Sequence, residues 1–278
     1  MENKNTVEFI QEKAAVMRRD VIEMGYVAGG RGAHFGPALS SIEIVASLFF
    51  KVMNHDPKEP TMPERDRFVQ SKGHACLSYY SALIESGYID KELMSTFKGD
   101  ESFLSGHPSR NMEHGIEISS GSLGNGFAIA CGMAKAAKIK NEDHYVYCLV
   151  GDGECNEGII WEAAMNGAKN KLDNLVAIVD RNGVQLAGKT SDIMDVDLVA
   201  LWKAVGWEVE VVEDGNDLLL VIEALEKMKN SKSGKPHMII ANTTKGKGIS
   251  FMEGSLDWHA RAMDKEQYDQ AVSELENA

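Results

Sequence analysis

The sequence predicts an α/β fold, a mostly parallel sheet with helices on both faces, on three observations. Three short apolar, β-rich runs, 145–150, 175–179 and 237–241, read as strands buried on both sides. Helical patterns over 158–171, 197–204 and 218–228 alternate with them, and such alternation builds parallel sheets. The first two runs are followed by polar, glycine-bearing turns, and an open α/β sheet binds ligands beyond such strand ends.

Taken in order, Val7, Ile10, Ala14, Met17, Val21 and Met24 recur at spacings of three and four behind a capping Thr6, which predicts an amphipathic helix. Gly29 to Gly36 holds four glycines in eight residues and breaks it. A second apolar helix is expected over about 40–52, then a loop through Pro57, Pro60 and Pro63. Ser71 to Cys76 leads into a helix over 77–86, and 99–120 reads as a long irregular stretch of the kind that carries function. After the strand at 145–150 and the helix and strand that follow it, 208–213 reads as a more peripheral strand. No repeat, low-complexity tract or linker divides the chain. Residues 1–278 therefore read as one domain with a helical N-terminal part and a loose acidic tail after Asp264.

At 278 residues the chain is long enough to bury a core without disulfides. A net charge of −13 argues against nucleic acid or an anionic membrane as partner, while leaving room for a local anion site. No apolar run approaches a membrane span, and Met1 to Thr6 lacks the basic-then-apolar layout of a secretory leader, so the cytoplasm is expected. Cys76, Cys131 and Cys148 sit in apolar or small-residue contexts and read as core. Cys155, in a glycine-rich turn, reads as loop filler with a reactive thiol as the alternative.

The chemistry concentrates at Gly151-Asp152-Gly153 and at Asn182, which 28 residues separate from Gly153. That interval fits one strand, helix and strand, so the two segments end neighbouring strands. The Asp152 carboxylate, the Asn182 amide oxygen and a backbone carbonyl near Val184 would offer Mg²⁺ three hard oxygen ligands. The glycine interval after Gly151 does not fit a dinucleotide loop, and no phosphate-cradling Walker loop is present. Asp152 would repel a diphosphate unless a cation stood between them.

Together with Asn182, this Gly-Asp-Gly resembles the thiamine diphosphate signature. Four further pieces, Gly32-Ala-His34-Phe-Gly36, Ser71-Lys-Gly-His74, Gly106-His107-Pro108 and Gly121-Ser-Leu123-Gly124, with Trp258-His259 near the end, resemble the N-terminal, diphosphate-binding half of transketolase over about 10–260. The likeness is closer to transketolases split into two subunits. It implies the thiamine diphosphate-binding fold and, as cofactors, thiamine diphosphate with Mg²⁺, or Ca²⁺ or Mn²⁺ in its place. His34, His74, His107 and His259 would line the channel over the thiazolium; His74, Gly121, Leu123, Gly151, Asp152, Gly153, Glu157, Asn182 and His259 would touch the cofactor; Asp152, Asn182 and Val184 would hold the metal. Glu157 and Glu162 match acidic residues near the family's subunit interface, with a solvated helix face as the equal alternative. Lys245 and Lys247 read as solvated loop charges, and His114 as a secondary candidate. Ala33-His34-Phe35-Gly36 departs from the family's usual Gly-His-Pro-Gly, and Ser122 and Asn125 replace a usual proline and glutamine.

The implied activity is transfer of a two-carbon ketol unit from a ketose to an aldose. The pyrimidine-binding domain, with the glutamate that activates the cofactor, would come from a separate C-terminal subunit in an α2β2 assembly, with small sugars as substrates. The α subunit of a 2-oxoacid dehydrogenase, a non-catalytic thiamine-binding paralogue and, less well, deoxyxylulose phosphate synthase stand as alternatives.

Overall fold

A computed structural model describes residues 6–277; Met1 to Asn5, on which most of the leader expectation rests, lie outside them. Ten α-helices are described: α1 (Val7–Val27), α2 (Phe35–Leu39), α3 (Ile42–Ser47), α4 (Cys76–Ser86), α5 (Asn125–Lys140), α6 (Gly158–Lys169), α7 (Thr190–Ile193), α8 (Leu198–Ala204), α9 (Leu218–Lys229) and α10 (Lys265–Glu276). The strands are β1 (Arg67–Gln70), β2 (Val146–Gly151), β3 (Leu175–Arg181), β4 (Val184–Gln185), β5 (Gly188–Lys189), β6 (Glu208–Val212) and β7 (His237–Asn242). Five of them form an all-parallel sheet in the order β1-β2-β3-β7-β6, and β4 pairs antiparallel with β5 in a small hairpin. β6 lies at an edge, as its polar composition predicted.

The period of two along each strand divides the core. Tyr147, Leu149, Val176, Ile178 and Ile239 enter one apolar cluster with α1 to α4 and α9; Val146, Cys148, Val150, Ala177, Val179 and Ile240 enter the other with α5, α6 and α8. Helices therefore cover both faces of the sheet, and the carboxyl ends of β2 and β3 open at one rim.

Four departures have local causes. β1 escapes a pattern search because only Phe68 and Val69 of its four residues are apolar. α5 begins after Gly124, which sits at φ 80° and gives no side-chain cap, and its small residues Ala130 and Ala134 pack closely without a bold apolar stripe. The stretch 40–52 is not one helix: the Ser40 and Ser41 hydroxyls bond back to the Pro37 carbonyl, and the chain restarts as α3 before a π turn at Leu48–Val52. The tail is not loose. Asp264 opens α10 with a capping box to Gln267, and Tyr268 stacks on Tyr26 with ring centroids 4.3 Å apart.

All four cysteines are free and buried. Burial pushes the Cys155 thiol well above its ordinary value, so it stays protonated and the reactive reading falls away. Among the described residues, no helix is long and apolar enough to cross a membrane.

Candidate active site

β2 and β3 run in register with Gly151 opposite Asp180, which sets Asp152 and Asn182 side by side at the rim. The Asp152 carboxylate accepts the Gly153 N–H at 2.8 Å and the Gly183 N–H at 2.7 Å. Asn182 donates its amide N–H to Asp180 at 2.9 Å and accepts the Val184 N–H on its oxygen at 3.1 Å, so both ends of the amide are assigned by their partners. Asp180 is fully buried; it also accepts Ser40 at 2.7 Å, Thr243, and the ammonium of the equally buried Lys72. Burial alone would raise the Asp180 carboxyl, but Lys72 and the hydroxyls hold it below its ordinary value.

Asp152 is treated differently. Burial, and then the charge of Asp180, push its carboxyl up to about 6, against the pull of two backbone N–H groups. Lys72 is committed to Asp180, so Asp152 is a buried carboxylate in want of a cation. Its oxygen, the Asn182 amide oxygen and the Val184 carbonyl are hard ligands of the kind Mg²⁺ prefers. Among the described residues no three His, Cys, Asp or Glu side chains group as metal ligands, so a cation here relies on the amide and carbonyl. The residues present fit the expected metal. A cleft of about 590 Å³ opens beside them, walled by Asp152, Asn156, Arg181, Asn182, Thr190 and Asp197 among others; none of the predicted histidines is in its wall.

Those histidines converge separately on His34. Its ring lies 5.4 Å from His74, 5.7 Å from His107 and 5.6 Å from His259, and His74 lies 5.1 Å from His259. Residues 225 apart in sequence meet because Ala33 and Arg261 exchange backbone hydrogen bonds at 3.0 and 3.1 Å, and the Gly36 N–H donates to Trp258 at 3.0 Å. A Cβ on Gly36 would stand 2.8 Å from the Trp258 carbonyl, so only glycine allows this seam. His74 and His107 are joined through Ser120 and Gly121: a Cβ on Gly73 would reach within 2.9 Å of the Gly121 nitrogen, and Gly121 faces the His107 ring.

Burial first, then positive neighbours, lower all four rings: His34 to about 4, His259 to about 3, His74 far below its ordinary value, and His107 as well. The charges beside them are the ammonium groups of Lys72, Lys98 and Lys245, and protonating one ring would further oppose protonation of its neighbours. At neutral pH the cluster is uncharged imidazole, able to donate and accept hydrogen bonds.

Two residues were not legible as site residues. Lys245, expected as a solvated charge, is 1% exposed, and its ammonium donates to His259 Nδ1 at 3.0 Å and to the Val184 carbonyl at 3.4 Å. Burial brings it down to about 8, so it remains an ammonium at pH 7. Lys247 keeps its solvated role, paired with Glu253. Glu154 is 2% exposed and accepts Ser71, the Gly124 N–H at 2.7 Å and the Gly151 N–H at 3.0 Å. It ties the end of β1, the Gly121–Gly124 turn and the end of β2 into one frame. Glu157 and Glu162, by contrast, are exposed. Leu123 is half-buried beside the turn, and Gly153 meets Gln185 of the hairpin. His55 bonds to Phe49 and Tyr88, His114 packs on Phe103, and His144 and His237 lie at the opposite end of the sheet.

The family model described as the transketolase thiamine diphosphate binding domain matches residues 11–276. The chain is 43% identical to one of the subunits of an apulose-4-phosphate transketolase from Actinobacillus succinogenes, over 96% of both chains. It is 40% identical to one of the subunits of a 6-deoxy-6-sulfo-D-fructose transketolase from a Clostridium species, again over 96% of both. Among solved structures, the transketolase of Campylobacter jejuni superposes with a TM-score of 0.90 at 34% identity, over 98% of this chain and 43% of that one.

Proposed function

Because this chain belongs to the family of transketolase thiamine diphosphate-binding domains, we propose that it is the N-terminal subunit of a two-chain transketolase. In this reading it moves a two-carbon ketol unit from a ketose phosphate or analogue to an aldose. The observation that carries it is the pairing of two constellations on one chain: a buried carboxylate and oriented amide at the strand ends, and three neutral histidines gathered around the ring of a fourth, His34.

Asp152, Asn182 and the Val184 carbonyl would hold Mg²⁺ against the diphosphate. Gly151, Gly153 and His74 would lie along the diphosphate, and Gly121 and Leu123 beside the aminopyrimidine. Bound thiamine diphosphate supplies the carbon nucleophile and the electron sink. His34, His107 and His259, uncharged, would orient the sugar hydroxyls without neutralising the nucleophile.

The chain spans 43% of the Campylobacter transketolase, and the Actinobacillus relative it matches almost from end to end is named as one subunit of its enzyme. The relative's name supports a separate partner subunit, to which we assign the pyrimidine-binding domain. Leu186, 75% exposed, and Ile193 and Met194, also exposed, lie on the segment bordering the cleft, while Ile129 and Met165 are exposed on α5 and α6. Such apolar surface suits burial between chains, and we assign it to an α2β2 assembly working in the cytoplasm. The names of the two relatives favour a transketolase over a 2-oxoacid dehydrogenase component.

The test is two-carbon transfer from a panel of ketoses, with this chain and a pyrimidine-domain partner expressed together and apart. Activity is expected only with both. Asp152→Ala is expected to weaken Mg²⁺-dependent cofactor binding by more than about 100-fold, beyond the 10–100-fold typical of outer-shell partners. Full turnover by this chain alone, or undiminished binding by the variant, would overturn the reading.

A further inference from the structure

His34, His74 and His107 make no side-chain hydrogen bond with the described residues, whereas His259 makes one, to Lys245. An ammonium has three N–H donors and no lone pair. The contact at 3.0 Å is a hydrogen bond only if His259 Nδ1 accepts, which places the imidazole proton on Nε2. Lys245 is itself fixed: its nitrogen also donates to the Val184 carbonyl, and its stem lies against Gly36, where an added Cβ would come within 3.0 Å of it. Nε2 has no partner among the described residues.

We propose that Lys245 is a positioning residue that locks His259 as the Nε2–H tautomer, so that this ring offers one fixed donor to the ligand and meets only an acceptor oxygen. The other three rings remain free to choose donor or acceptor as the ligand requires. The division suits a site that must grip one invariant oxygen while accommodating hydroxyls of varied geometry. A phosphate or hydroxyl oxygen satisfies the donor; an N–H or ammonium does not.

Only the identity of that oxygen rests on the cofactor assignment above. The tautomer belongs to the chain by itself, so the two fail separately. The experiment is nitrogen-detected NMR of the full chain carrying ¹⁵N-histidine at pH 7, without cofactor or partner, with the His259 signals assigned by their loss in His259→Gln. The wild type is expected to show a proton on Nε2 and none on Nδ1. In Lys245→Met the two nitrogen shifts should converge as both tautomers become populated, while a well-dispersed amide spectrum shows that the fold persists. Lys245→Arg, again donor-only, should restore the wild-type pattern. A proton on Nδ1 in the wild type, or an unchanged pattern in folded Lys245→Met, would overturn the proposal. A further comparison uses Mg²⁺ with thiamine diphosphate as the calorimetric probe of the co-expressed complex. His259→Gln, whose amide reaches the Nε2 position, should bind more tightly than His259→Asn, whose amide stops at Nδ1; the reverse order would also overturn it.

Discussion

Asn182 gives its amide N–H to Asp180 at 2.9 Å, and this bond turns its oxygen away toward the loop that follows β3. The orientation of one proposed ligand thus depends on a carboxylate that is itself neutralised by buried Lys72. Removing Lys72 leaves Asp180 as an uncompensated buried charge. Lys72→Met should cost about 3–5 kcal/mol in urea unfolding, and adding Asp180→Asn should recover much of that loss. Equal stability of the single and double variants would count against the pair.

Glu154 predicts a second effect. Glu154→Ala leaves the buried Gly124 and Gly151 N–H groups without an acceptor, at about 1–3 kcal/mol each. Unfolding measurements should show a loss of roughly 3 kcal/mol or more. Because the Gly121–Gly124 turn loses its anchor, Mg²⁺–thiamine diphosphate binding to the complex should weaken too. Glu154→Gln keeps an acceptor and should fall between.

The C-terminal helix contributes to stability. Asp264→Ala removes the capping box and should cost about 1 kcal/mol. Tyr268→Ala should cost more, since it loses both burial and a stacked ring pair worth about 0.5–1.5 kcal/mol beyond area. A loose tail would register neither change in a urea midpoint.

Asp20 supplies a pH signature away from the site. It is 2% exposed, and burial pushes its carboxyl up to about 6 despite Lys91 and Ser81. A raised folded pKa means that stability is fully present below the unfolded value near 4 and is lost as pH rises through 6. Asp20→Asn should therefore melt higher than wild type at pH 8, by the equivalent of about 2 kcal/mol, and lose that advantage near pH 4. A variant that melts lower at pH 8 would show that Lys91 outweighs burial.

The strands at 145–150, 175–179 and 237–241 were legible because burial on both faces leaves continuous apolar runs. The histidines were legible only as members of motifs, since nothing in local sequence says that His34 and His259 meet. Lys245 and Glu154 were not legible: a charged residue in a loop reads as solvated unless its tertiary partners are known. α5 stayed hidden because its cap is a backbone turn at Gly124 without a side-chain signal, and α10 because its cap sits in an acidic stretch that reads as tail.

The seam between Ala33 and Arg261 also sets an order of events during synthesis. His34, His74 and His107 leave the ribosome early, but their fourth companion and its buried lysine emerge much later. A translation product that stops short of His259 would carry the strand-end acids and three histidines and still lack the ring whose donor is fixed. The four-histidine cluster therefore closes only once Arg261 has been made and has paired with Ala33, so its last wall is set by the final part of the chain to be synthesised.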